Sequence, residues 1–310
     1  MLRLTFCMGN TPFKPDRMQS RGWRKSTSAL TCLGIAGAFC HGQQAIVSDP
    51  SLQRSPVSWV EAAAKNENAI VQDAGTSSVS YRVHKVDAKG DTVREVIESR
   101  QGSVARLIEH DGKPITAAED AAERERLQAA LAAPDEFLRH HRRDNVTREY
   151  AMELVRLMPS AMIYSYAPGQ PQPSGTPSRQ IVVDFRPDPK FHPPSMIADL
   201  LTGLAGRFWI DATTERVTRA EAHVLRPVNF GWGVVGRIFP GGTLEFEQAD
   251  AGGGRWVYSH LSENLTVREL MVKTVPVHTE MRSAEFQLLP SLISYQDAIR
   301  ILLAEKIPLR

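Results

Sequence analysis

Histidine and carboxylate side chains are the first candidates for chemistry in this 310-residue chain. His260 and His278 fall in two runs that are predicted to form neighbouring strands, and Glu280 or Glu245 would complete a site beside them. An imidazole next to a carboxylate suits metal-dependent or general-base hydrolysis. The histidines show no HExxH pair or other short metal spacing, so a metal-dependent hydrolase stands third among three functional hypotheses.

Other motifs point away from catalysis. The run GWGVVG at 231–236 matches GxGxxG, but a phosphate-cradling turn must lead into a helix, and the Pro-Gly-Gly at 240–242 predicts none. The run RHHRRD at 139–144 is interpreted as a solvated helix end, because adjacent histidines point to different sides. No GxSxG elbow, SxxK pair or Walker loop occurs, so we predict no catalytic residue, no metal site and no cofactor.

The first 42 residues have the organisation of a leader and cleaved secretory signal peptide. A 14-residue apolar run at 26–39 follows three basic residues, Arg21, Arg24 and Lys25. That run is shorter than the roughly 20 residues needed to span a membrane, and no later segment approaches this length. The sequence therefore predicts export to the periplasm and no transmembrane span.

The processing sites of this leader follow from its small residues. We expect cleavage after Gly42, and Met18 begins a better basic region than Met1, so it is a candidate true start. Cys40 is not expected to carry a lipid anchor, because the bulky Phe39 directly precedes it where a lipid-attachment motif has a small residue.

Composition limits the partners of the mature chain. Removal of residues 1–42 takes away six basic residues and one acidic residue, which leaves 31 basic and 34 acidic residues and a net charge of −3. Nucleic acids and anionic membrane surfaces attract clustered Lys and Arg, so nucleic-acid binding is disfavoured. All three cysteines lie within the leader, which excludes disulfides and thiolate chemistry from the mature chain.

Residues 43–310 are predicted to form one strand-rich domain. Three alternating runs at 79–86, 92–98 and 104–109 indicate an antiparallel meander with one face in water. A charged helical insertion is predicted near 117–158, with an exposed helix ending before Pro134 and an amphipathic helix that ends at Pro159.

The remaining runs extend this pattern to the end of the chain. A short apolar helix at 196–204 interrupts the strands, and an amphipathic helix at 295–305 follows them. We count about ten strands against four or five helices, and the strands follow one another directly. The sequence thus predicts an α+β fold with one large, curved antiparallel sheet, an incomplete β-barrel covered by short helices.

One stretch of sequence resembles a known family. Residues 206–211, Gly-Arg-Phe-Trp-Ile-Asp, and the following 213–219 resemble the LolA-like outer-membrane lipoprotein-sorting proteins and related periplasmic sensor domains. The resemblance extends through 241–243 and 255–258 to the run near 270–273, about a third of the chain.

This resemblance implies a strongly curved, incomplete barrel whose apolar concave face holds an acyl chain or a lipidated peptide. The predicted lid or plug and lining consist of apolar side chains whose alternative role is ordinary core: Met196, Leu200, Leu201, Leu204, Trp209, Phe230, Trp232 and Trp256. The charged helices form an insertion relative to the compact carriers, and the acyl-entry positions of the family have no counterpart that we can place.

Two further hypotheses stand beside the hydrolase. The leading one is a periplasmic, non-catalytic protein that shields a lipid, acyl chain or lipoprotein in an apolar concavity. The alternative is a structural or protein-interaction module of the cell envelope, in which the same apolar residues form packed core and the charged helices contact an envelope protein.

Overall fold

The computed structural model describes residues 50–72, 76–174, 176, 178–230, 235–269 and 272–310. The side chains of residues 70–72, 136 and 140–147 lie outside this description, as do the predicted leader and Trp232. No helix among the described residues combines the length and the apolar character needed to cross a membrane.

Helices and strands alternate in blocks along the chain. The helices are α1 (Pro56–Gln72), α2 (Ala117–Ala132), α3 (Pro134–Ala161) and α4 (Tyr295–Ala304), with 3₁₀ helices at Pro50–Gln53 and Ile197–Thr202. The strands are β1 (Val79–Asp87), β2 (Gly90–Ser99), β3 (Gly102–His110), β4 (Lys113–Pro114), β5 (Met162–Tyr166), β6 (Gln180–Pro187), β7 (Leu204–Asp211), β8 (Val217–Val224), β9 (Val228–Phe230), β10 (Gly236–Ile238), β11 (Thr243–Asp250), β12 (Trp256–Glu269) and β13 (Lys273–Leu288).

All of these strands belong to one antiparallel sheet that is not closed. Its order is β4-β3-β2-β1-β13-β12-β11-β8-β7-β6-β5, and β10 pairs with β12 and β9 beside this path. This confirms the predicted α+β class and the large open antiparallel sheet. The sheet has 13 strands instead of about ten, because the two- and three-residue strands β4, β9 and β10 are too short to give an alternating pattern.

The two faces of the sheet differ in chemistry. We call the face that carries Phe208 and Ile210 of β7 the core face, and the face that carries Arg207 and Trp209 the outer face. The register extends the core face from Phe208 through Ala220 of β8 to β11, β12 and β13. Because side chains alternate along each strand, the neighbouring residues define the outer face.

The larger core cluster lies on the core face, over β5 to β8, and extends to β9, β10 and β12. Trp59, Val60 and Ala63 of α1 and the 3₁₀ residues Leu200 and Leu201 are buried there, against strand side chains such as Phe208 and Ile210. The C-terminal part of α3 packs against the same cluster through Leu154, Leu157 and Met158. This half of the core face is therefore filled by helices.

A second cluster lies on the outer face, at the other end of the sheet. Ile97 of β2 and Val104 of β3 face outward and are buried with Leu127 of α2 and with Tyr295 and Ile299 of α4. The helices thus cover both faces, which differs from the single covered concave face that the resemblance implies. The physical reason is the pair of outward-facing apolar residues on β2 and β3, which require their own cover.

The helices differ from the predicted insertion in one respect. α3 runs without interruption from Pro134 to Ala161, so the run at 139–144, interpreted above as a helix end, lies inside a helix, and not all of the helices are short. The prediction that the helix ends at Pro159 is wrong, since Pro159 lies in its last turn. A proline there removes one backbone donor close to the end, which does not stop the helix.

Side chains cover the two edges of the sheet where short strands leave backbone groups open. Part of the β6 edge is not paired with β5. There the Gln170 side chain bonds the backbone amide and carbonyl of Val182, and the Gln172 side chain bonds the same two groups of Gln180. At the β3 edge, Glu123 of α2 accepts from the Leu107 amide and Arg126 donates to the Ala105 carbonyl.

Candidate binding surface

The structure places the predicted lid and lining residues in several environments. Leu200, Leu201, Leu204 and Phe230 are buried in the larger core cluster. Leu204 is the first residue of β7 and not part of the predicted apolar helix, because the 3₁₀ helix ends at Thr202. Their role in holding a ligand stays a prediction, and the structure shows them as packed core.

Met196 and Trp256 are more accessible. Met196 precedes the 3₁₀ helix and is 44% exposed. Trp256 begins β12 and is half-buried, with the Arg216 guanidinium 5.7 Å from its ring centroid. Trp232 lies outside the described residues.

Trp209 lies on the outer face, away from the larger core cluster. Its ring packs against Ala167 and Val182, and its indole Nε1 donates to the Pro171 carbonyl at 3.1 Å. The guanidinium groups of Arg207 and Arg219 lie 5.8 and 5.3 Å from the ring centroid. Trp209 therefore anchors the loop after β5 and is buried on the outer face beneath two arginine side chains.

A different set of apolar side chains remains only half-buried on the core face. Met281 of β13, Leu261 of β12 and Phe246 of β11 lie directly opposite one another in register. Val83 of β1 and Tyr258 of β12 flank this row on the same face. We call these five residues the apolar strip.

Tyr258 is the most accessible member of the apolar strip. It is 43% exposed, while the other four members are intermediate in burial. Its ring contacts Phe246 edge-on, with 5.7 Å between centroids and 85° between planes. Phe246 in turn packs against the larger core cluster, so the apolar strip continues the core outward to an accessible surface.

Sequence alternation could not assign Tyr258 to this face. Residues 258 and 261 are three apart, which in a regular strand places them on opposite sides. The register between β11 and β12 shifts between Glu247 and Gln248, so Tyr258 pairs with Gln248 and shares the face of Leu261. This β-bulge has no distinctive residue type that would reveal it in advance.

A row of polar side chains crosses the same face beside the apolar strip. Asp87 of β1, Thr279 of β13 and Glu263 of β12 lie opposite one another, and Lys85 lies opposite Met281. We call Lys85, Asp87, Thr279 and Glu263 the polar row. The Lys85 Nζ lies 2.9 Å from the Asp87 Oδ2, and both side chains are largely buried.

Glu263 is the most unusual member of the polar row. It is 7% exposed and forms no ion pair with any residue that the structure describes. Burial raises its pKa to about 7, although the Lys85 charge and a hydrogen bond from Thr279 act in the opposite direction. Burial also acts to raise the pKa of Asp87, but its bonds with Lys85 and the Lys89 amide outweigh this effect and lower it.

The end of α1 brings a further carboxyl to this part of the sheet. Glu67 Oε2 accepts a 3.3 Å hydrogen bond from the Gln248 amide of β11, and its Oε1 is buried without a partner among the described residues. Burial raises the pKa of Glu67, against the Gln248 bond and the charge of Arg216. The core face between α1 and β13 thus combines apolar and ionisable groups.

The histidine and carboxylate candidates lie on the outer face. His260 Nε2 is 2.8 Å from Glu280 Oε1, and Arg282 is 2.8 Å from the same oxygen, so one predicted contact exists. His278 lies opposite Asn264, and Glu245 lies opposite Ser262. Within the described ranges, no three His, Cys, Asp or Glu side chains are grouped to hold a metal ion.

Comparisons with known proteins add one structural similarity. No protein-family model matches the chain, and no curated protein matches it. Among solved structures, it is similar to a putative outer membrane lipoprotein-sorting protein domain from Vibrio parahaemolyticus. The alignment covers 80% of this chain and 100% of that chain, with 10% sequence identity and a TM-score of 0.28. This is the class that residues 206–211 resemble, but a TM-score so low supports neither a function nor a ligand for this chain.

Proposed function

We propose that this chain is a non-catalytic binding protein that shields the acyl chain of a lipid or lipoprotein against the apolar strip. One observation carries the proposal: apolar side chains on the core face remain accessible. Tyr258 is 43% exposed and lies beside the half-buried Phe246. An accessible apolar surface that continues a core is a site for an apolar ligand.

The energetics of the surface favour a flexible chain. The strip runs across four neighbouring strands, β1, β13, β12 and β11, so an extended alkyl chain would contact several of its residues at once. Each methylene group that leaves water contributes roughly 0.8 kcal/mol. A chain of about ten carbons therefore gains enough to offset the loss of freedom on binding.

A matched pair of tyrosine variants tests this proposal. Tyr258 and Tyr150 are each 43% exposed, but Tyr150 lies on α3 outside the apolar strip. We expect Tyr258→Arg to weaken the uptake of a fluorescent dodecyl probe by roughly tenfold, because it places a charge where the chain would lie. Tyr150→Arg should bind the probe as the wild type does.

The outcome separates the functional hypotheses. Equal affinities of the wild type and Tyr258→Arg would show that the apolar strip does not receive the chain. If purified protein takes up no dodecyl probe and carries no lipid in native mass spectrometry, the carrier proposal fails. A protein-interaction module of the envelope would then be the better hypothesis, with the apolar strip as the partner's contact surface.

We also propose that the protein works in the periplasm after removal of its leader. The basic residues before the apolar run at 26–39 support export, and Phe39 argues against lipid attachment at Cys40. Cell fractionation followed by intact mass measurement should show a periplasmic product that begins at Gln43. A cytosolic product with residues 18–42 still attached would contradict the proposal.

A further inference from the structure

The polar row lies beside the apolar strip, to which the proposed function assigns an acyl chain. Glu263 stands between Leu261 and Leu265 along β12, on the same face as both. Across the sheet it faces Leu244 of β11 on one side and Thr279 of β13 on the other. The Glu263 carboxyl group is thus flanked by apolar side chains along β12 and on β11, at a fixed position beside the apolar strip.

The charges around Glu263 are incompletely paired. Lys85 is the ammonium group of the polar row, and it is already bonded to Asp87 at 2.9 Å. Arg94, on the same face of β2, lies 3.8 Å from Glu123 of α2. Glu263 therefore has the Thr279 hydroxyl as a hydrogen-bond partner and feels the charge of Lys85, but it forms no ion pair with a cation in the described part of the chain.

A buried carboxylate without a cation is unfavourable, and a ligand that supplies one would remove this penalty. A carboxylate or phosphate group at the same position would instead meet Glu263 as a like charge. Because an ammonium group has three donors, it can bond to Glu263 and to the Thr279 hydroxyl together.

We propose that Glu263, supported by Thr279, is the head-group site of the bound amphiphile and selects a protonated amine. This inference rests on the proposed function, since it assigns the polar end of the ligand whose chain lies on the apolar strip. It is separate from chain binding itself, which needs only the apolar residues.

Three ligands with the same chain test the assignment. Dodecylamine, dodecanol and dodecanoic acid should each displace the fluorescent dodecyl probe from the wild-type protein at pH 7.5. We expect dodecylamine to bind at least roughly tenfold more tightly than dodecanoic acid, because the amine gains a charge-assisted hydrogen bond and the acid meets a like charge. Equal binding of the two, or tighter binding of the acid, would overturn the assignment.

Two variants test whether Glu263 is the source of the preference for dodecylamine over dodecanoic acid. Glu263→Gln should reduce the preference for the amine to within about threefold, while dodecanol binds as before. Glu280→Gln is the matched control, because Glu280 lies on the outer face of the adjacent strand, and it should retain the full preference. A Glu263→Gln protein that still prefers the amine tenfold would contradict the proposal.

Dodecanol distinguishes the two possible failures. If the wild type binds dodecanol and does not prefer the amine, the head-group site is wrong and the carrier function stands. If it binds none of the three ligands, the carrier function itself fails. The wild-type comparison needs no variant, so the test remains decisive even if a substitution impairs folding.

Discussion

At the level of single residues, Glu263 shows how burial and charge conflict on the core face. Its side chain occupies a position where the alternation of β12 otherwise places Leu261 and Leu265. The sequence contains no sign of this, because a glutamate in a half-exposed strand normally faces water. The register with Thr279 and Leu244 is needed to show that it faces inward.

The Glu263→Gln variant should change how stability depends on pH. The pKa of Glu263 rises from an ordinary 4.5 in the unfolded chain to about 7 in the folded protein. The folded state therefore retains a proton that the unfolded state has lost, and stability falls as pH rises between these values, by about 3 kcal/mol. The glutamine of this variant is neutral at every pH, so urea unfolding should show the variant to be more stable than the wild type at pH 8.

Glu280→Gln should have the opposite effect on stability at pH 8 and serves as a comparison. The bonds of Glu280 with His260 and Ser262 outweigh the effect of burial and lower its pKa. Its ionised form thus favours the folded state above the unfolded pKa, and removal of the charge should reduce stability at pH 8. If Glu263→Gln loses as much stability between pH 5 and pH 8 as the wild type does, Glu263 is not a buried acid.

Gly206 is a residue at which the fold permits no side chain. A Cβ atom there would lie 1.9 Å from the Glu221 carbonyl oxygen and 2.8 Å from the Ala222 Cα, both on the neighbouring strand β8. We expect Gly206→Ala to lower the free energy of unfolding by about 3 kcal/mol, because backbone must move apart. Chemical denaturation measures this directly.

Gly236→Ala is the matched control for Gly206. A Cβ atom at 236 would lie 3.5 Å from its nearest neighbour, the Arg268 carbonyl oxygen, which is ordinary contact. Its effect should stay within about 0.5 kcal/mol. Similar losses for both variants would argue against a tight β7–β8 approach.

At the level of elements, α4 is fixed to the outer face by a buried arginine. The Arg106 guanidinium, on β3, donates to the backbone carbonyls of Leu302 and Glu305 and to the Asp120 carboxylate of α2. Arg106 is fully buried, so its charge depends on these partners. It joins the end of α4 to the start of α2.

Replacement of this arginine should loosen α4. We expect Arg106→Met to cost about 3 kcal/mol and to speed amide hydrogen exchange across residues 295–304, because Asp120 and two carbonyl groups lose a buried partner. Arg300→Met serves as the control, since Arg300 is exposed and pairs with Asp297 within α4 itself. Unchanged exchange in Arg106→Met would show that apolar contacts alone hold the helix.

Several elements could be predicted from sequence, for identifiable reasons. The meander β1 to β3 follows from alternation and from Gly90 and Gly102 at its turns, and α2 begins at a capping box formed by Thr116 and Glu119. Continuous elements with a weak pattern are harder to predict. Beyond Leu261, β12 continues through the polar residues 262–264, so alternation predicts a strand that ends at Leu261, well before the observed end of β12.

At the level of the whole molecule, the pairing of distant strands decides what the sequence can reveal. β1 pairs with β13, which begins almost 190 residues later in the chain, and this contact brings Lys85 and Asp87 beside Thr279 and Glu263. Local periodicity carries no information about such a partner. The polar row therefore could not be predicted, although the sheet that contains it could.

Ligand capture should stabilise the entire fold if the proposed function holds. A ligand that binds the folded state alone, at a hundred times its Kd, adds about 2.7 kcal/mol to the free energy of unfolding. We expect dodecylamine to raise the Tm of the wild type by several degrees and to raise that of Tyr258→Arg much less. An equal rise in both proteins would place the binding elsewhere.

The glutamines that cover the β6 edge bear on how the molecule behaves in a crowded compartment. Gln170 and Gln172 satisfy the main-chain groups of Val182 and Gln180 just as an additional strand would. An unclosed sheet otherwise offers such groups as a template on which another polypeptide can extend the ladder. With these groups bonded to its own side chains, this part of the open sheet offers another polypeptide no free main-chain groups at Val182 and Gln180.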